Sequence, residues 1–173
     1  MVERADFVRP DFEASREWAE VSFLADRLVD HLEVPHIAAQ IADANQPGRS
    51  SAAVQGVFLR EAMTLGFTDE RKGLFGSYDS ALRPDYFKQV GTSGVILEVE
   101  RGKTTINNMD LLDLWKCHIC EHADYLFLMV PLELRQNPDM SPRREFIAVR
   151  RRLGTFFLPG NYTNVRGLVL IGY

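Results

Sequence analysis

The chain has 173 residues, 46% of them apolar and 25% charged, with a formal net charge of −4. This is the composition of one folded domain, and it excludes disordered and low-complexity classes. No apolar run approaches the ~18 residues of a membrane span, and the negative charge gives no general pull toward polyanions, so nucleic-acid binding needs local basic patches. Met1-Val2-Glu3-Arg4-Ala5-Asp6 is no signal peptide, and Cys117 and Cys120, one helical turn apart, read as reduced thiols, so a cytoplasmic location is expected.

In chain order, Asp11 is placed to cap a helix over about 12–32, with Trp18, Val21, Ala25, Leu28 and Leu32 as its apolar stripe. It suits packing or a dimer contact through Trp18 and Phe23. Residues 33–50 read as a loop with one helical turn at 37–42, and His31 and His36 as ordinary surface histidines. Ser50 or Ser51 caps a second helix ending near Leu65, with Gly66 just beyond and Val54, Val57, Phe58 and Leu65 facing inward. At 100° per residue Glu61 falls about 20° from Val54. It is either a stripe-edge charge paired with Arg60 or Arg71, or a carboxylate directed at a site; Gln55 and Arg60 are weaker candidates for that position.

Gly73, Gly76, Ser77 and Pro84 punctuate short strands near 72–75 and 85–90, and Gly91-Thr92-Ser93-Gly94 turns into a third. That third strand, Val95–Val99, is β-branched and aliphatic and reads as buried. Alternation sends Ile96, Glu98 and Glu100 to one face and Val95, Leu97 and Val99 to the other. Two carboxylates then lie about 7 Å apart on one face. Burying them unpaired is costly, so a cation is expected beside them.

After Arg101-Gly102-Lys103, Thr104 or Thr105 caps a helix over about 106–122, with Asn108, Leu111, Leu112, Trp115 and Ile119 as its inward face. Lys103 and Lys116 are the nearest cations. Cys117-His118-Ile119-Cys120-Glu121-His122 lacks the second ligand pair of a structural zinc site. Tyr125–Val130 is a buried strand, parallel to the acidic strand through a right-handed crossover. Ser141 and Pro142 open a helix to about Leu153. From Arg143 to Arg166 there are six Arg and one Glu, a local charge of +5 that is either a solvated basic helix or a phosphate-contacting face. Residues 167–172 form a last strand.

Pro84-Asp85 followed by Glu98-x-Glu100 resembles the motif of the PD-(D/E)xK restriction-endonuclease-like nucleases. The order helix, three meander strands, helix, strand over about 50–131 resembles the core of that fold. The resemblance implies an α/β domain with a central mixed β-sheet flanked by helices (αβββαβ). It divides the single domain 1–173 into an N-terminal helical region (1–50), a catalytic core (51–131) and a C-terminal basic helix and strand (132–173).

It implies a Mg²⁺-dependent (or Mn²⁺-dependent) endonuclease acting on DNA as a homodimer. Asp85 and Glu98 would hold the metal, with Glu61, and Glu100 would handle the attacking water. Glu100 stands where the motif has Lys, a variant known among type II restriction enzymes, and Lys103 or Lys116 is available as the replacement. Arg143, Arg144, Arg150, Arg151, Arg101 and Lys116 are the expected nucleic-acid contacts. The alternative is a catalytically silent nucleic-acid- or protein-binding module on the same fold. A zinc-stabilised interaction domain would rest on Cys117–His122 alone.

Overall fold

The computed structural model describes residues 2–69, 76, 83–102, 104–135, 139 and 141–173. Among these, strands β1 (Glu3–Val8), β2 (Thr68–Asp69), β3 (Tyr86–Val90), β4 (Ser93–Val99), β5 (Tyr125–Val130) and β6 (Gly167–Gly172) form one mixed sheet in the order β1-β6-β5-β4-β3-β2. β4, β5 and β6 are mutually parallel, and the pairs β1–β6, β3–β4 and β2–β3 are antiparallel. The strand expected near 72–75 lies outside the described residues.

Among the described residues five α-helices cover the two faces: α1 (Arg16–Glu33), α2 (Pro35–Ala44), α3 (Ser51–Thr64), α4 (Met109–Ile119) and α5 (Glu145–Gly154). The alternation expected in β4 decides which helices meet which residues. Val95, Leu97 and Val99 join Tyr125, Phe127, Met129, Val169 and Ile171 in a core with α1, α2 and α3. Ile96 joins Leu126, Leu128, Leu168 and Leu170 in a second core with α4 and α5. Every residue of β4, β5 and β6 is buried, as expected for parallel strands covered on both faces. β6 approaches α1 so closely that a Cβ at Gly167 would lie 2.5 Å from the Trp18 ring. No described helix is long and apolar enough to cross a membrane.

Several boundaries differ from the sequence expectation. α1 is capped by the Ser15 hydroxyl, which accepts the Trp18 N–H at 3.0 Å, not by Asp11. Asp11 lies in a separate 3-10 turn, Pro10–Phe12. Trp18 is buried and stacks on Tyr125 at 6.1 Å, which removes it as a dimer contact; Phe23 stays 60% exposed. α2 is a full helix because Pro35 occupies its first turn, where a missing N–H costs nothing.

The largest difference is in α4. Its N-cap is Asn108, in the left-handed region at φ 55°, not Thr104 or Thr105. The helix buries Asp110, Asp113, Leu114 and Cys117, while Leu112 and Trp115 are 41% and 44% exposed. Of the face expected to point inward, Leu111 and Ile119 pack against the core and Asn108, Leu112 and Trp115 are exposed. The exposed three border a groove of about 580 Å³ lined also by Phe156, Tyr162 and Thr163.

Candidate active site

The β3–β4 ladder runs out at Asp85, one residue after Pro84. There the Asp85 side chain takes over from the backbone. Its Oδ2 accepts the Val99 N–H at 2.9 Å, and its own N–H donates to Glu98 Oε2 at 3.2 Å. Glu98 is held at the other oxygen, where Lys116 Nζ donates to Oε1 at 2.9 Å. The same ammonium donates to Asp113 Oδ1 at 2.9 Å. From the opposite face of the sheet, Gln55 of α3 donates Nε2–H to Asp85 Oδ1 at 2.9 Å. A cavity of about 470 Å³ opens beside Asp85, between Gln55, Gly56, Leu59, Arg83 and Tyr86. Glu100 follows directly, and its carbonyl is fixed by the Tyr173 hydroxyl at 2.7 Å.

Lys116 thus meets Glu98 and Asp113 inside a group of four carboxylates with Asp85 and Glu100. Burial raises all four above the ordinary carboxylate range. For Glu98, burial is reinforced by Asp113 and opposed by Lys116. Glu100 is pushed to about 7 by burial, then by Asp113 and Asp85. Asp113 is raised to about 6 by burial, with Lys116 working against the rise. Burial also disfavours the charged Lys116, but Glu98 and Asp113 outweigh it and hold the ammonium above its usual range.

Asp85, Glu98 and Glu100 are therefore brought together. Glu61 is not with them. Its carboxylate lies 3.9 Å from Arg27 and 3.7 Å from His31, both on α1, so it pairs across the α1–α3 contact. His31 is correspondingly half-withdrawn from solvent rather than a plain surface residue. Six residues separate Gln55 from Glu61, which puts them about 240° apart round α3. Gln55 is the α3 side chain that reaches the site.

Arg101 is also misplaced as a phosphate contact. Its guanidinium donates to the carbonyls of Asn45, Gln46 and Arg49, tying off the segment after α2. Lys116 is not a surface contact either, because its side chain is 12% exposed and ion-paired. Lys103 lies outside the described residues. Arg144, Arg150 and Arg151 stand exposed on and beside α5. Arg143 donates to Thr105 Oγ1 at 2.8 Å and is bound into the loop before α4.

Asp113 was the residue missed. Its signal was present, since Asp110, Asp113 and Lys116 recur every three residues and share a helix face. The apolar stripe beside them was the stronger pattern and pointed the other way.

Asp85 and Glu98 present carboxylate oxygens, the ligand type of a hard divalent cation, but each of these four oxygens already accepts a hydrogen bond from the protein. Mg²⁺ is usually held by only one or two carboxylates together with substrate phosphate and water. Here several buried carboxylates face one ammonium. Among the described residues, however, no group of three or more His, Cys, Asp or Glu is arranged to hold a metal. This includes Cys117 and Cys120, which are free and buried. No protein-family model and no curated protein matches the chain.

Proposed function

We propose that this chain is a Mg²⁺-dependent (or Mn²⁺-dependent) endonuclease that hydrolyses phosphodiester bonds in DNA, built on a PD-(D/E)xK-type core. The observation that carries the reading is Lys116 at 2.9 Å from Glu98, next to Asp85 and Glu100. A cation delivered from α4 stands in for the motif Lys that Glu100 displaces. The element order over 51–130, helix, three strands, helix, strand, supports the same reading.

Asp85 and Glu98 would hold the metal, which would acidify the attacking water and neutralise charge on the scissile phosphate. Gln55 and the Val99 N–H fix the Asp85 carboxylate, so its orientation does not depend on substrate. Glu100, raised to about 7, is matched to proton transfer near neutral pH. Lys116 opposes the charge that develops at the phosphate. Arg144, Arg150 and Arg151 would contact backbone phosphates and make binding steeply salt-dependent. Cutting both strands of a duplex calls for two sites, hence a homodimer, and exposed Phe23 on α1 is a candidate contact.

A second reading is a nucleic-acid-binding module without catalysis. It is favoured by the fact that each oxygen of Asp85 and Glu98 already accepts a hydrogen bond from the protein. One experiment separates the two: plasmid cleavage in Mg²⁺ beside a gel shift in Ca²⁺, for wild type and Glu98→Ala. The nuclease reading expects cleavage by wild type alone and binding by both. Cleavage by wild type in EDTA, or by the variant at the wild-type rate, overturns it. Binding by both with cleavage by neither makes the silent module the better account.

A further inference from the structure

An amphipathic helix normally buries its apolar stripe. α4 buries Leu114 and Cys117 and packs Leu111 and Ile119 against the same core, but it also buries Asp110 and Asp113 and covers most of Lys116, while Leu112 and Trp115 stay 41% and 44% exposed. Turning the helix about its axis until Leu112 and Trp115 face the sheet would cover those two and bring Leu114 and Cys117 out of the core. That rotation would carry Lys116 off Glu98. With apolar side chains on both faces, the apolar effect does not by itself choose the rotation, and the contacts at the start of α4 select the observed one.

The segment entering α4 is gripped from α5. Arg152 donates to the Thr105 carbonyl at 2.8 Å and to Asn108 Oδ1 at 2.6 Å, and its Nε lies 3.3 Å from Asp110 Oδ2. Glu145 Oε1 accepts both the N–H and the hydroxyl of Thr105, each at 2.8 Å. Asn108 is the residue that would ordinarily cap the helix with its side chain. Here that oxygen is given to Arg152, and the backbone sits left-handed. Asp110 and Glu145 are fully buried, and Arg152 is the cation whose charge opposes the rise that burial imposes on Asp110. The Arg152 guanidinium is thus the counter-charge that permits Asp110 to face inward.

We infer that Arg152 and Glu145 are positioning residues that lock α4 in the rotation at which Lys116 meets Glu98. They split the basic run of α5 by role. The inner Arg152 serves α4, and the outer Arg150 and Arg151 are free for phosphate. The consequence for cleavage rests on the nuclease reading, but the rotation itself does not.

The chain has two tryptophans, Trp18 buried and Trp115 exposed, so Trp115 reports the rotation directly. The experiment measures acrylamide quenching and emission maximum of Arg152→Met, Arg152→Lys and Arg151→Met, with far-UV circular dichroism confirming helix content. Trp115→Phe assigns the signal.

In Arg152→Met, Trp115 is expected to become less accessible and blue-shifted; Arg152→Lys restores the wild-type signature in part, and Arg151→Met leaves it unchanged. If Arg152→Met unfolds, Glu145→Gln takes its place with the same expectation. A folded Arg152→Met, or failing that Glu145→Gln, with Trp115 as accessible as in wild type overturns the inference.

Kinetics give a second arm. Misplacing Lys116 should lower kcat by up to about 10²-fold with DNA affinity in Ca²⁺ unchanged. If Arg152 instead contacts phosphate, affinity weakens, the salt slope falls by about one and Trp115 does not respond. If wild type cuts nothing, the nuclease reading fails while the Trp115 arm still decides the positioning.

Discussion

α3 and α4 approach the acidic strand from opposite faces of the sheet, and they are held there by partly different forces. α3 is placed by Val54, Phe58 and Ala62, all fully buried, and its one inward polar contribution to the site is Gln55. α4 is placed by buried Leu114 and Cys117 and, in addition, by charge, through Lys116 with Glu98 and Asp113 and through Arg152 with Asp110. Apolar burial depends little on pH or salt, whereas a buried charge cluster depends on protonation. The two helices should therefore fail differently under the same perturbations.

The largest effect is expected at the charge cluster. Glu98→Ala should abolish metal-dependent cleavage by orders of magnitude while preserving DNA binding in Ca²⁺. Lys116→Met should cost about 3–5 kcal/mol of stability at pH 8, because it leaves Glu98 and Asp113 buried without their counter-charge. At pH 5 that loss should shrink, since both carboxyls are raised and take up protons there. Phe58→Ala on α3 should cost a similar 3–5 kcal/mol, but equally at both pH values. Urea melts of the two variants at pH 5 and pH 8 test the contrast, and a pH-independent loss in Lys116→Met would count against it.

A smaller effect is expected from Glu100. It titrates near 4.5 in the unfolded chain and near 7 in the folded protein, so the native state holds the proton more tightly. Its stabilising contribution is complete below about pH 4.5 and is lost as pH rises through 7. In EDTA, wild type should lose on the order of 1–2 kcal/mol relative to Glu100→Gln between pH 5 and pH 8, allowing for partial solvent screening. The opposite slope difference would remove Glu100 from the cluster.

The smallest effects separate the remaining residues. Glu61→Ala should leave cleavage untouched and cost no more than about 1 kcal/mol, as for a partly exposed ion pair. Trp115→Ser should cost on the order of 1–2 kcal/mol, less than a core aromatic, because α4 leaves the side chain 44% exposed. Leu114→Ala, one residue away, should cost about 2–5 kcal/mol.

How far the sequence could be read follows the same division. β4, β5, β6 and α3 were legible because apolar burial places them, and apolar periodicity is what a sequence displays best. The shared face of Glu98 and Glu100 was legible because strand alternation is strict, whereas Asp85 was singled out by the resemblance carried by Pro84-Asp85 and not by any periodicity. α4 was not, since the pairing of Asp110 and Asp113 with Arg152 and Lys116 becomes visible only when α5 and β4 are in place. β1 was missed for a related reason: Glu-Arg-Ala-Asp-Phe-Val has neither an apolar run nor clean alternation, as suits an edge strand. Glu61 misled because its stripe position was real, but the partner on that side was α1 rather than the site.

The pairing of β1 with β6 sets a condition on synthesis. Glu3 lies opposite Gly172, so β6 is inserted between the first strand and β5. A ribosome adding about 5–20 residues per second needs on the order of ten seconds or more between making the two halves of that pairing. Throughout the wait β1 lacks β6, and in its last part, once Val130 has been made and before Gly167 follows, the hydrogen-bonding edge of β5 has no neighbour on its β6 side. An apolar strand edge left open is a template for another chain. A nascent chain halted before Gly167 would hold the site strand and both flanking helices, yet would carry the most aggregation-prone surface the molecule ever presents.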